Sequence, residues 1–266
     1  SATVSDTYTL TVANTNDVPT VSTSITNAST NEDAAYSYDA SANFTDVDAG
    51  DTLTYSATLS GGNALPTWLS IDSSTGILSG TPENGDNGAI DITVTATDTA
   101  GSAVSDTYTL TVNNTNDAPI AASAAMSESA TEDLAYSFDT STNFSDVDVG
   151  DTLTYSAVFT DANGTVVTWL SIDASTGVIS GTPTNDEVGD TTVVVTATDS
   201  SNATVTTTVT VTVANTNDAP VVSTFISNAS TNEDAAYSYD ASVNFTDVDA
   251  GDTLTYTAAL SNGSAL

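Results

Sequence analysis

The sequence predicts an all-β chain of tandem β-sandwich domains, and three observations carry that reading. The first is strict alternation. In 89–97, Ile90, Ile92, Val94 and Ala96 share one face while Asp91, Thr93, Thr95 and Thr97 take the other; Tyr108, Leu110 and Val112 alternate with Thr107, Thr109 and Thr111 in the same way. One dry and one wet face per strand is the pattern of antiparallel sheets packed against each other. The second observation is that no 3.6-residue period competes with it. The third is self-similarity. The stretch Asn-Thr-Asn-Asp-x-Pro occurs at 14–19, 114–119 and 215–220, which places its Asp at 17, 117 and 218. A step near one hundred residues is the size of a whole domain rather than of a solenoid repeat.

Each copy of that stretch follows an alternating run and ends in a proline. Proline lacks an N–H and fixes φ, so it stops a strand ladder and marks a junction between domains. The sequence therefore predicts the last strand of a preceding domain in 1–16, complete domains in 17–116 and 117–217, and the first half of a further domain in 218–266, as a window on a longer tandem array. Within the first full domain roughly seven strands are expected, near 21–25, 34–39, 52–59, 68–71, 76–79, 89–97 and 104–112, separated by turn-forming clusters such as Asp48-Ala49-Gly50-Asp51. Trp68 and Trp169, together with Tyr36 and Tyr38, read as core residues.

Charge narrows the function. The chain has 35 acidic residues and no Lys, Arg or His, for a net charge of −35. Nucleic acid needs cations to meet its phosphates, and a basic patch is needed to hold an anionic membrane surface; neither can be supplied. No Cys is present, so disulfides and thiolate metal sites are excluded. No apolar run is long enough to insert in a membrane. Catalysis would have only carboxylates and hydroxyls, with no His or Lys to act near neutral pH, so an enzyme is not expected.

The acidic residues recur at fixed places: in the first domain Asp17, Glu32, Asp46, Asp48, Asp72 and Asp98. Asp46 and Asp48 project to one side and Val47 to the other. Asp98 continues the inward parity of 90–96, where an uncompensated carboxylate would be costly. With no basic side chain available, an oxygen-loving cation is the economical partner, and Ca²⁺ takes about six to eight such oxygens. The competing reading is the solvated surface of a salt-adapted protein; clustering at both ends of each repeat favours calcium.

These motifs, in this order, resemble cadherin-like repeats, in particular the dystroglycan-type cadherin-like and Ig-like tandem domains of giant bacterial surface adhesins. Asn116-Asp117-Ala118-Pro119 is similar to the cadherin linker, with Asn114 where its first Asp would stand; Asp46-Val47-Asp48 is similar to the family's Asp-x-Asp, Asn31-Glu32 to its early Glu, and Ile71-Asp72-Ser73-Ser74-Thr75-Gly76 to its Leu-Asp-Arg-Glu-Thr-Gly. Ser74 and Ser175 replace that Glu, which predicts fewer than three ions per junction. The resemblance implies seven-stranded Ig-like/cadherin-like sandwiches joined by short calcium-binding linkers. It assigns Asn16, Asp17, Asp46, Asp48 and Asp98 to the first junction, and Glu32, Asp72, Asn116, Asp117, Asp146, Asp148 and Asp199 to the second. The third takes Glu132, Asp173, Asn217, Asp218, Asp247 and Asp249.

The function expected is a structural extender, a stalk or fibre segment of an extracellular cell-surface adhesin in a biofilm or filament. Its partners would be neighbouring repeats and other copies in a fibre. The alternative is a module that binds glycan or protein through its loops.

Overall fold

The alternating runs fold as paired strands in a computed structural model that describes residues 1–261 and Ser264. The chain divides into two units, Ser1–Asn116 and Asp117–Leu266. The first holds β1 (Thr20–Val21), β2 (Ala28–Asn31), β3 (Tyr36–Asp39), β4 (Phe44–Thr45), β5 (Thr54–Leu59), β6 (Leu69–Ile71), β7 (Ile77–Gly80), β8 (Gly88–Thr97) and β9 (Ala103–Asn113). One sheet has the order β2-β9-β8-β5 and the other β3-β7-β6, with β1 and β4 as a separate pair. Ile92 faces Tyr108 and Ile90 faces Leu110 across the β8–β9 ladder. The inward set Leu78, Ile92, Val94, Tyr108 and Leu110 is fully buried or nearly so. Each such side chain contributes about 1.5–3 kcal/mol on leaving water, and the two sheets are held face to face by this layer.

The unit departs from the expectation: it holds nine strands rather than seven, β2 and β4 being additional, and β1 covers only Thr20–Val21. β2 pairs with β9 in parallel, whereas all the other pairs of this unit are antiparallel. Its sequence, Ala-Ser-Thr-Asn, carries one small apolar residue and gives no alternation to read. The tryptophans sit at the core's margin: Trp68 is half-buried and packs against the buried cluster from its edge. Its backbone explains a glycine. A Cβ at Gly80 would lie 1.8 Å from the Trp68 carbonyl oxygen, and at Gly181 2.0 Å from that of Trp169.

The second unit repeats the pattern with β10 (Ile120–Ala121), β11 (Ala125–Thr131), β12 (Tyr136–Asp139), β13 (Phe144–Ser145), β14 (Thr154–Asp161), β15 (Leu170–Ile172), β16 (Val178–Gly181), β17 (Gly189–Thr198) and β18 (Thr204–Ala214). The sheet orders are β11-β18-β17-β14 and β12-β16-β15, again with a parallel β11–β18 pair. Ile179, Val193, Val195, Val209 and Val211 fill the core. One substitution leaves a mark. In the first unit the Tyr36 and Tyr108 hydroxyls lie 3.2 Å apart; Val209 stands one repeat after Tyr108, and the buried Tyr136 hydroxyl has no hydrogen-bond partner.

The flanking pieces are largely without ladders. Residues 1–19 form no strand, and Tyr8, Leu10 and Val12 are exposed. After 218 the strands among the described residues are β19 (Val221–Val222) and β20 (Phe245–Thr246), the counterparts of β1 and β4. Residues 237–240 match β3 in sequence but are not a strand. In the full domains the matching segments pair with β7 or β16.

Candidate metal centre

The loop that follows β4, and its copies after β13 and β20, fold alike because their own polar atoms close them. The Asp48 N–H donates to Asp46 Oδ1 at 2.9 Å and the Asp51 N–H to the Asp48 carbonyl at 3.2 Å. Gly50, at φ +98°, supplies the left-handed residue between them. Asp148 with Asp146, and Asp249 with Asp247, repeat the first bond at 3.0 and 3.1 Å. Val47, of opposite parity, points to solvent.

In the first unit this loop brings Asp46 and Asp51 to Asp98, at the end of β8, with one oxygen of each within 4.8 Å of the others. Asp98 is only 5% exposed. Its Oδ1 accepts the Ser102 N–H at 2.8 Å and its Oδ2 the Asn16 amide at 3.0 Å. That amide holds the carboxyl below the usual carboxylate range. Asp48, buried beside it, accepts the Asp17 N–H at 2.7 Å and the Asn14 amide at 2.8 Å. Asp17 itself is exposed. Glu32 is buried and accepts the Thr115 N–H at 2.6 Å.

The second unit holds further groups. Asp146, Asp151 and Asp199 form the same triad as Asp46, Asp51 and Asp98. Glu132, Asp218 and Asp249 form another, in which the Asp218 N–H donates to Asp249 Oδ2 at 2.7 Å and the Asn215 amide to Asp249 Oδ1 at 3.1 Å. Asp249 also groups with Asp247 and Asp252, so one carboxylate serves two sets. Asp148 accepts the Asp117 N–H at 2.8 Å. Asn217 donates to the Asp218 carbonyl, and Asn116 lies exposed in the linker.

Two residues assigned by resemblance stand elsewhere. Asp72 lies in the β6–β7 turn, where its Oδ1 accepts the Ser74 hydroxyl, the Ser74 N–H and the Thr75 N–H; those bonds, the hydroxyl's foremost, pull its carboxyl down to about 2. Asp173 repeats this with Ser175 and Thr176. Among the described residues neither joins a three-carboxylate group. Conversely Asp51, Asp151 and Asp252 belong to the groups, and the readable signal for them is the Asp-x-Asp-x-Gly-Asp spacing.

The chemistry of these groups is unusual. Asp46 Oδ2, Asp51 Oδ2, Glu132 Oε2, Asp146 Oδ2 and Asp151 Oδ2 are buried with no hydrogen-bond partner. Two unit charges at 4.8 Å repel by roughly 3 kcal/mol at an effective dielectric constant of about 20. Three oxygen atoms within 4.8 Å of one another all lie within roughly 2.8 Å of one central point, close to the Ca²⁺–oxygen distance of about 2.3–2.6 Å. Donor set, spacing and unpartnered oxygens thus fit a hard cation with oxygen ligands.

A family model named He_PIG and described as "Putative Ig domain" matches residues 18–113 and 118–214. No curated protein sequence matches the chain. Among solved structures, domains EC22–24 of mouse cadherin-23 are 22% identical over 77% of this chain and 70% of that chain, with a TM-score of 0.50. Domains EC1–4 of Drosophila N-cadherin are 17% identical over 75% of this chain and 50% of that one, with a TM-score of 0.51. At these identities the likeness is one of fold. An endo-fucoidan hydrolase of glycoside hydrolase family 107 is 24% identical over 75% of this chain, with a TM-score of 0.33, and the chain spans 29% of its length. The chain belongs to the He_PIG family of Ig domains, as two tandem Ig-like/cadherin-like sandwiches in an all-β chain.

Proposed function

We propose that the chain is a non-catalytic, calcium-stiffened segment of a stalk on an extracellular cell-surface adhesin, with domain boundaries at 17, 117 and 218. The observation that carries this reading is the recurrence of carboxylate triads holding buried, unpartnered oxygens in a protein with no side-chain cation. Calcium would supply the missing positive charge. Asp46, Asp51 and Asp98 would hold one ion, and Asp146, Asp151 and Asp199 another. Glu132 precedes the 215–220 linker and Asp218 and Asp249 follow its start, so an ion on this triad would tie a domain to the segment after it. Glu32 holds the sequence position of Glu132 one repeat earlier and would likewise offer a ligand. Main-chain carbonyls at Asn16, Asn116 and Asn217 complete the shells. Extracellular modules bind calcium at about 10⁻⁴–10⁻³ M, so such a strut is loaded outside cells.

Small-angle scattering of the chain in millimolar calcium and in chelator tests the stalk. Calcium should give a longer and narrower distance distribution, because carboxylates that repel without the ion become shared ligands. Identical profiles would refute a calcium-set strut.

A further inference from the structure

Glu32 and Glu132 occupy equivalent positions one repeat apart, and both are all but inaccessible, at 2% and 1% exposed. Each accepts one backbone N–H on Oε1, from Thr115 and Thr216 respectively. Their second oxygens differ. Glu32 Oε2 accepts the Asn87 amide at 2.9 Å, and the Asn84 carbonyl fixes the same amide at 2.9 Å. One repeat later the residue is Val188, at the end of the short 3₁₀ turn Asn185–Glu187. The Val188 side chain has no donor, and Glu132 Oε2 is left buried without a hydrogen-bond partner, in the triad with Asp218 and Asp249.

We infer that the residue at this position sets the calcium affinity of the glutamate beside it. An amide donated to a carboxylate oxygen neutralises part of the charge that a cation would otherwise meet. Asn87 therefore makes Glu32 the weaker ligand, and Val188 leaves Glu132 the stronger. The two repeats then load in sequence as calcium rises, Glu132 first. This rests on the calcium reading above and adds a grading to it. The loops also differ at Glu83, Gly85 and Asp86 (Thr184, Asp186 and Glu187 one repeat later), and Asn185 donates its amide to Asp218 Oδ2 at 3.0 Å. Residue 87 is nevertheless the one whose side chain reaches the glutamate, so loop variation at that position can give repeats different calcium responses.

The Thr115 and Thr216 amides, each donating to one glutamate, are local reporters. In ¹⁵N-resolved NMR of the full 266-residue chain titrated with calcium chloride, the Thr216 signal should move at a concentration lower than that for Thr115 by roughly tenfold, the scale of one hydrogen bond to a charged group. Val188→Asn should raise the Thr216 midpoint by a similar factor and leave Thr115 in place. Asn87→Val, in the other unit, should lower the Thr115 midpoint, so the test stands if one variant does not fold. Coincident wild-type midpoints, or midpoints unmoved by the substitutions while calcium still binds, would overturn this inference and spare the calcium reading. No movement of either amide at millimolar calcium would overturn both.

Discussion

Replacing Asp151 with Asn should change stability in opposite directions with and without calcium. Asp151 Oδ1 accepts the Ser200 hydroxyl at 2.5 Å, a bond the Asn carbonyl keeps, and Oδ2 is buried without a partner beside Asp146 and Asp199. The substitution thus preserves shape and removes one charge from a triad within 4.8 Å. Each like-charge pair is worth roughly 3 kcal/mol at an effective dielectric constant of about 20, and relaxation and salt leave a net gain of about 1–2 kcal/mol in chelator. For a domain of this size that is a rise in Tm of roughly 5–10 °C. Calcium at about a hundred times its Kd adds about 2.7 kcal/mol to the wild type, so a variant without the site should fall about 1 kcal/mol below it. Scanning calorimetry in calcium and in chelator decides. Asp161→Asn is the control: its Oδ1 accepts the Asn163 and Thr165 N–H groups within its own turn, and no reversal is expected. A shift of the same sign in both buffers would refute the reasoning.

Tyr36→Phe should cost about 1 kcal/mol or more, because it strands the Tyr108 hydroxyl 3.2 Å away, whereas Tyr136→Phe removes an unpartnered hydroxyl and should be neutral or stabilising; equal losses in urea unfolding would count against this. Asp72 has a folded value of about 2 against an ordinary 3.8, so its turn contributes stability that is complete above the ordinary value and lost as pH falls towards 2. NMR titration of its carboxyl should show that low midpoint, and Ser74→Ala should raise it while Asp173 stays put; an unmoved Asp72 midpoint would show that the hydroxyl is not the cause.

Much of the fold was legible because burial writes itself as alternation: Ile92, Val94, Tyr108 and Leu110 are inward in sequence and in structure. Asp98 was legible by the same parity. β2 and β11 were not, since parallel pairing with β9 and β18 is decided by the chain's return across the sheet rather than by a pattern within the segment. Asp51 escaped because its place depends on the left-handed Gly50 turn, which brings it back to Asp46, although the repeated Asp-x-Asp-x-Gly-Asp spacing carried the signal. Asp72 stands apart from the three-carboxylate groups for a local reason: the serine that stands where the resemblance would have Glu donates to Asp72 Oδ1 within its own turn. The contrast between Asn87 and Val188 could be seen in the sequence, but its meaning required knowing that Glu32 and Glu132 lie beneath.

The claim that cations complete the acidic groups is tested most directly by equilibrium dialysis of the chain against calcium at physiological ionic strength. The account predicts at least three ions bound per chain, one for each triad that contains an unpartnered buried oxygen, with Kd values of about 10⁻⁴–10⁻³ M. A folded chain that retains no calcium at millimolar concentration would contradict it.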